Sequence, residues 1–359
     1  MAHKKLLKAI KNGKDGKNVG IPTGLKKLDS VIYGIQRRYL YTIGASSGVG
    51  KTSFTLDIFI YNLLKNAGDK AIAILMYSFE MSLEVLLAKI LSRYIYDTFE
   101  KVVSFEDILS LTSPISQENY ELIQRSEKWL EELDKKLTVY DKALTPNGIY
   151  ATCKEWLKNY GTFVELGPHK EEYSENDSTM YKVVIIDHIS LVAGKGTKKE
   201  RIDTTCDYMI YFRNKCNISG VMVQQLNRGI SSVDRKTQGF ELVGLEDFKD
   251  SSGTTDASEV VIALYSPYRE KVAVCEGYPI AKILKNRFIL VEIIKNRYGR
   301  SGINIGSNFF GEINMFRELP KPNEINDYTP YLELIPDSKL IISKDDEKEI
   351  DNDENLFKF

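Results

Sequence analysis

The sequence predicts an α/β fold, with a central, mostly parallel β-sheet flanked by helices. Three observations carry that prediction. From Ile21 to about Leu319, short β-rich apolar runs alternate with stretches of helical spacing, as strands joined by helical crossovers do. Several of these runs are apolar almost without interruption, which suits strands buried on both faces. One strand–glycine loop–helix unit, over residues 40–64, has the form of a phosphate-binding loop.

The runs expected as central strands are Tyr39–Gly44, Ala71–Ser78, Lys182–Asp187, Gly220–Leu226 and Val260–Tyr265. Between the second and third, helical spacing appears at 82–96, 117–135 and 147–160, with a short strand at Leu137–Tyr140. Residues 161–180 are polar and irregular, and predict a surface loop. The segment FILVEIIKNRYGRSGINIG reads as a hairpin, two apolar runs around Asn296-Arg297-Tyr298-Gly299. Residues 1–20 hold six lysines and one short amphipathic stretch, which predicts a solvated arm with room for one helix. From Pro320 the composition shifts. The last sixteen residues carry seven acidic and three basic side chains, a flexible tail by composition. The expected organisation is an arm at 1–20, one domain at 21–319 and a tail at 320–359.

The chain has 359 residues, 43% hydrophobic and 28% charged, which is enough for a large domain with a full core. Its formal net charge of −1 supplies no global basic field, so nucleic-acid binding has to use a local basic surface. Four widely spaced cysteines without a C-x-x-C pattern argue against a disulfide framework or a zinc site and fit a reducing cytoplasm. The N-terminal apolar stretch is too short for a signal sequence, and no run reaches the ~18 apolar residues of a membrane span. A soluble cytoplasmic protein is expected.

The phosphate-loop candidate is Ala45, Ser46, Ser47, Gly48, Val49, Gly50, Lys51, Thr52 and Ser53. Ala45 stands where the strict pattern has its first glycine, with Gly44 beside it. Small residues let backbone N–H groups turn inward around phosphates, and the helix N-terminus adds partial positive charge. Lys51 is placed to reach the β- and γ-phosphates of ATP, and the Thr52 hydroxyl to ligate Mg²⁺. The run Val183–Ile186 ends in Asp187, which delivers a carboxylate to the sheet's C-terminal edge as a second magnesium-holding group. A glycine loop that only turns a strand into a helix is the plain alternative.

Further stretches narrow the class. Tyr77-Ser78-Phe79-Glu80-Met81-Ser82 resembles the Ser-Leu-Glu-Met-Ser stretch of replicative DnaB-type hexameric helicases. Ile21-Pro22-Thr23-Gly24-Leu25, with Leu28-Asp29, is similar to that family's entry into its RecA-like domain. Val223-Gln224-Gln225-Leu226-Asn227-Arg228 resembles its strand ending in Ser-Gln-Leu-Asn-Arg. Leu245-Glu246-Asp247-Phe248-Lys249-Asp250-Ser251 resembles its Leu-x-Asp-Leu-Arg-Glu-Ser loop. Lys295-Asn296-Arg297-Tyr298-Gly299 matches its Lys-x-Arg-x-Gly hairpin. The stretches occur in family order over about 300 residues.

The resemblance implies a RecA-like P-loop ATPase that unwinds DNA as a homohexameric ring, moving 5′ to 3′ on single-stranded or forked DNA. It implies Glu80, one strand over from the phosphate loop, as the base for the attacking water; the alternative is an acid at a helix N-terminus. Gln225 becomes a γ-phosphate sensor, or else a polar strand end. Lys295 and Arg297, two apart on a strand and so on one face, become a pair reaching a neighbouring subunit's ATP. The alternative is an ordinary cationic hairpin tip. Lys249, Ser252 and Gly253 fall in the family's DNA-gripping channel loop, with lysine where arginine is usual. Lys195, Lys198, Lys199 and Arg201 add charge after the Asp187 strand, either for DNA or as a solvated helix start.

A full-length family member carries a helical domain before the ATPase, for ring assembly and primase contact; here about twenty residues precede Ile21. The expectation is a short, phage-like form acting in the bacterial host cytoplasm. Its tail, ending Leu356-Phe357-Lys358-Phe359, is similar to acidic tails that recruit replication partners such as primase, polymerase or single-stranded DNA-binding protein, or else only solubilises. Two other functions stay open: a RecA- or RadA-like filament that binds DNA, and a non-unwinding scaffold ATPase of the replication machinery.

Overall fold

The computed structural model describes residues 2–14, 16, 18–167, 170–227, 243–248 and 252–335. Lys249, Arg228 and the tail beyond Ile335, including Leu356–Phe359, lie outside the described residues.

The strands are β1 (Leu40–Ala45), β2 (Ile72–Ser78), β3 (Leu137–Tyr140), β4 (Gly161–Gly167), β5 (Lys170–Glu175), β6 (Tyr181–Asp187) and β7 (Ser219–Gln225). After them come β8 (Val260–Tyr265), β9 (Val274–Cys275), β10 (Tyr278–Pro279), β11 (Phe288–Asn296), β12 (Ile303–Phe310) and β13 (Met315–Glu318). One sheet has the order β13-β12-β11-β8-β1-β7-β6-β2-β3. From β8 to β3 all neighbours are parallel, and β11, β12 and β13 add on antiparallel. The five expected central strands are all present, and each starts and ends within one residue of its expected limits.

Burial on both faces explains their unbroken apolar sequence. On one face Tyr41, Ile43, Ala45, Val221 and Ile262 pack with Phe54, Leu56 and Ile58 of the helix after β1. On the other, Leu40, Leu75, Val184 and Met222 pack under the helices Pro146–Leu157 and Lys198–Cys216. Because strand side chains alternate, Gln225 falls on the first face with Val221, and Gln224 on the second with Met222.

Sequence and structure part at several places. Residues 161–167 and 170–175 pair as the antiparallel strands β4 and β5 instead of forming a loop. Their inward groups are aromatic and charged, so hydropathy alternation is weak: Phe163 packs on Tyr173, and Glu171 pairs with Lys154 at 2.7 Å. Lys182, almost wholly buried, pairs with Glu175 at the end of β5. The helical stretch 117–135 breaks at Ser126, whose hydroxyl turns back to the Leu122 carbonyl at 2.8 Å. The helix after the phosphate loop changes to π-helix over Asp57–Asn62. Asp57 is fully buried there, accepts the Phe316 N–H at 2.7 Å and so ties the helix to β13; burial pushes its carboxyl up to about 6.

Residues 320–335, expected as the start of the flexible tail, are packed. Ile325, Tyr328, Tyr331 and Leu332 lie on the cluster around Tyr278, Phe288 and Leu290, and Asn308 Nδ2 donates to the Tyr331 carbonyl at 2.6 Å. Among the described residues no helix is long and apolar enough to cross a membrane.

Gly44 shows why small residues crowd the end of β1. A Cβ there would lie 2.3 Å from the Phe248 ring and 2.9 Å from Leu226. Gly44→Ala is expected to cost about 1–3 kcal/mol as overpacking, read as a lower unfolding temperature. An unchanged melting curve would show that the ring moves aside freely.

Candidate nucleotide site

β1 runs straight into the loop 46–50, and the chain turns there on residues with positive φ, Gly48 at +74° and Gly50 at +109°. A side chain at either would be strained in that left-handed region. Gly50 is the N-cap of the helix Lys51–Leu56, which carries no side-chain cap, so its first N–H groups are open to an anion.

Lys51, Thr52 and Ser53 are each 7% exposed at the start of this helix. Lys51 Nζ donates to the Ser46 carbonyl at 3.3 Å, folding back over its own loop. Burial holds its pKa below the ordinary lysine value, opposed by the nearby Asp187 and Glu80 carboxylates. Asp187, at the end of β6, is 1% exposed and lies near enough to the Thr52 hydroxyl for that group to favour its charged form. Its pKa is pushed up to about 6, chiefly by burial and further by Glu80, against the opposing influence of Thr52 and Lys51. Asp187 Oδ1 is buried with no hydrogen-bond partner.

A buried, unsatisfied carboxylate oxygen is costly unless a cation or donor meets it. Asp187 and Thr52 therefore offer the hard oxygen donors that Mg²⁺ takes, one carboxylate and one hydroxyl, and Mg²⁺ commonly completes its shell with phosphate oxygens and water. The residues fit the metal that the phosphate-loop pattern implies.

Glu80 is not one strand over from the phosphate loop. The sheet order puts β7 and β6 between β1 and β2, so Glu80 stands three strands away. It still reaches the site because the C-terminal ends of β2 and β6 are level, Ser78 beside Asp187. Glu80 Oε2 lies 3.8 Å from His188 Nε2, with the carboxylate about half exposed. Burial lowers the His188 pKa, so its neutral form is favoured. Gln225 is level with Ala45 across the β1–β7 pair, on the face of the Lys51 helix. Lys51, Thr52, Asp187, Glu80 and Gln225 thus converge at one edge of the sheet.

Two groups at this site have no role that the sequence assigns. Arg269, beyond β8, donates to the Ser47 carbonyl at 3.0 Å and lies over Gly48. Gln224, back to back with Gln225, donates to the Phe248 carbonyl at 3.1 Å and receives the Thr254 hydroxyl. Gln224 thereby ties the nucleotide-side strand to the helix Ser252–Ala257, which starts with Ser252 and Gly253.

The basic stretch after β6 divides. Lys195, Lys198 and Lys199 are exposed, whereas Arg201 donates to the carbonyls of Val192 at 2.9 Å and Gly196 at 2.7 Å. Thr197 and Glu200 form a capping box that starts the helix here. Arg201 serves that turn.

Lys295 and Arg297 lie at the opposite edge. β11 runs antiparallel to β8, so Asn296 pairs with Val260, at the start of β8. Lys295 Nζ donates to the Thr255 carbonyl at 2.6 Å, and Arg297 Nη1 lies 3.2 Å from Glu259 Oε1. Glu259 also accepts the Leu40 N–H at 2.7 Å, which marks the start of β1. Five residue steps of β1 separate that point from Ala45, about 17 Å at ~3.3 Å per step.

Fold and site define a RecA-like P-loop domain. Residues 20–318 match the DnaB-like helicase C-terminal domain, and the chain belongs to that family. It is 25% identical over 252 residues to the replicative DNA helicase DnaB of Helicobacter pylori, covering 69% of this chain and 44% of the relative. With the replicative DNA helicase DnaC of Bacillus subtilis it shares 23% over 314 residues, 86% of this chain and 59% of the relative. The chain thus spans about half the length of the curated relatives it matches. Among solved structures, one ATPase domain superposes with TM-score 0.66 at 18% identity, covering 89% of this chain and 99% of that one. A DnaB-like replicative helicase gives 0.64 at 17% identity, covering 88% and 66%.

Proposed function

We propose that this chain is the motor of an ATP-dependent replicative DNA helicase, a homohexameric ring that moves 5′ to 3′ on single-stranded DNA. The observation that carries this reading is the division of the site between two sheet edges. Phosphate-holding groups gather at one end of β1, and the Lys295–Arg297 pair sits about 17 Å away at the other. A cation there serves a neighbour's nucleotide far better than its own, so a complete site calls for two subunits.

Lys51 and the loop N–H groups hold the β- and γ-phosphates, while Thr52 and Asp187 hold Mg²⁺, which neutralises charge on the phosphate oxygens when bound. Glu80 orients the attacking water and accepts its proton. Gln225 senses the γ-phosphate, and its neighbour Gln224 links that strand to Ser252 and Gly253. With Lys249, those two residues contact the DNA backbone; Lys195, Lys198 and Lys199 add charge. The motor covers 21–319 and the arm 1–20. The DnaB-like replicative helicase whose structure resembles this one was solved with attention to its interactions with primase. That supports a primase partner here, with polymerase and single-stranded DNA-binding protein as further members of the same cytoplasmic machinery.

Unwinding of a fluorescent forked duplex with ATP and Mg²⁺ tests the reading. Strand separation is expected, and it should require a 5′ single-stranded tail and weaken steeply as salt rises. Hydrolysis without separation would move the assignment to a DNA-binding filament or a scaffold ATPase.

A further inference from the structure

Glu259 sits between the last residue of the helix Ser252–Ala257 and the start of β8, and it is 3% exposed. A buried carboxylate needs partners. Glu259 has the Leu40 N–H at 2.7 Å, Arg213 Nη1 at 2.7 Å and Arg297 Nη1 at 3.2 Å. The main chain adds two bonds: Glu259 N–H to the Leu40 carbonyl at 2.9 Å, and Arg297 N–H to the Glu259 carbonyl at 2.8 Å.

The two arginines differ. Arg213 is 15% exposed and also donates to the Ala257 carbonyl, so it belongs to the packed interior. Arg297 is 45% exposed. Arg213 and the Leu40 N–H already compensate the Glu259 charge, and the carboxylate is fixed before Arg297 joins it. The Arg297 end of the pair is open to solvent, which screens it and limits what it adds to stability, so the third partner is poorly explained as a stabilising contact. It is well explained as an anchor. A guanidinium has five N–H donors, and one edge on a rigid carboxylate leaves others for a phosphate. Lys295 is held alongside by the Thr255 carbonyl, and Arg297 Nη2 lies 3.5 Å from the Asp256 carbonyl.

We propose that Glu259 is a positioning residue for Arg297: its buried carboxylate holds the guanidinium at the sheet edge, aimed at the nucleotide of a neighbouring subunit. The proposal rests on the trans role given to Arg297 above. Pre-aimed charge needs no reorganisation when negative charge develops on the phosphoryl group, so its loss slows the chemical step while leaving ATP binding alone.

The test is DNA-stimulated ATP hydrolysis by Glu259→Gln, alone and mixed with Lys51→Ala subunits. Alone, kcat is expected to fall about 10-fold with the KM for ATP within about twofold. Lys51→Ala subunits have no working phosphate site but an intact Glu259–Arg297 edge, so mixing should raise hydrolysis per Glu259→Gln subunit several-fold. A defect that mixing does not relieve lies within the altered subunit and overturns the proposal. An unchanged or raised kcat overturns it too. Should a melting curve show Glu259→Gln unfolded, Glu259→Asp keeps the charge for Arg213, draws the carboxylate back by one methylene and is expected to give the same rescued defect. Arg297→Ala in the same assay separates the two ideas. If Arg297→Ala is fully active, the trans role itself fails. If it is slow and rescued while Glu259→Gln behaves as wild type, only the positioning role fails.

Discussion

Lys51→Ala is expected to reduce ATP hydrolysis by at least about 10²–10³-fold, the usual cost of removing a charge-stabilising donor, while the protein stays folded. The two halves have different causes. Lys51 is the cation at the head of the loop helix, close enough to Asp187 and Glu80 to feel both carboxylates. Arg269, also over the loop, is turned onto the Ser47 carbonyl and is no substitute for a point charge at the γ-phosphate. Folding is another matter. Burial lowers the Lys51 pKa, so the charged ammonium is disfavoured in the folded state, and its hydrogen-bond acceptor is the Ser46 carbonyl of its own loop. For a base whose folded pKa lies below its unfolded one, the charge opposes folding at every pH below the folded value. Removing it should leave the unfolding temperature equal or higher. Phosphate release and a melting curve on the same sample read both halves. Wild-type turnover in Lys51→Ala would sink the assignment of the site, and a lost melting transition would show that the loop needs the lysine to fold.

How far the fold could be read in advance follows from what each residue has to satisfy. The central strands are buried on both faces, so their sequence has no freedom to be polar, and Val183–Ile186 announces itself. The β4–β5 pair escaped because its packed groups are Tyr173, Glu171 and Glu175, whose polar tips are met by Leu157, Lys154 and Lys182. Two of those partners lie 16 and 17 residues away in the chain, outside any local pattern. Strand order escaped for the same reason. Nothing along the chain says that β7 and β6 insert between β1 and β2, and the position expected for Glu80 was wrong by two strands.

The site was legible where one short segment builds it, and less so where segments meet. Gly48, Gly50, Lys51 and Thr52 are a single turn with its own pattern. Arg269 and Gln224 act through contacts with Ser47 and Phe248, far away in the chain. Glu259 has the same character: it reads as one more acid before an apolar strand, and only the antiparallel docking of β11 on β8 brings Arg297 to it.

Arg297→Ala is expected to have the larger consequence for the assembly, lowering DNA-stimulated kcat by about 10³-fold or more, the range for removing a trans-acting arginine in phosphoryl transfer. The affinity for ATP should hold, since Arg297 is bonded to Glu259 at the far edge from Lys51 and its own phosphate loop. Its side chain is 45% exposed and its loss removes one of three partners of Glu259, with Arg213 remaining at 2.7 Å, so the fold should persist. Mixing then decides between cis and trans. Arg297→Ala subunits keep a complete phosphate loop, and Lys51→Ala subunits keep a complete cation edge; each is inactive alone. In a mixed ring some interfaces pair the two intact halves, so hydrolysis should appear that neither variant shows by itself. A mixture that stays as silent as its components would place Arg297 within its own subunit's chemistry, and the shared-site ring would have to be abandoned.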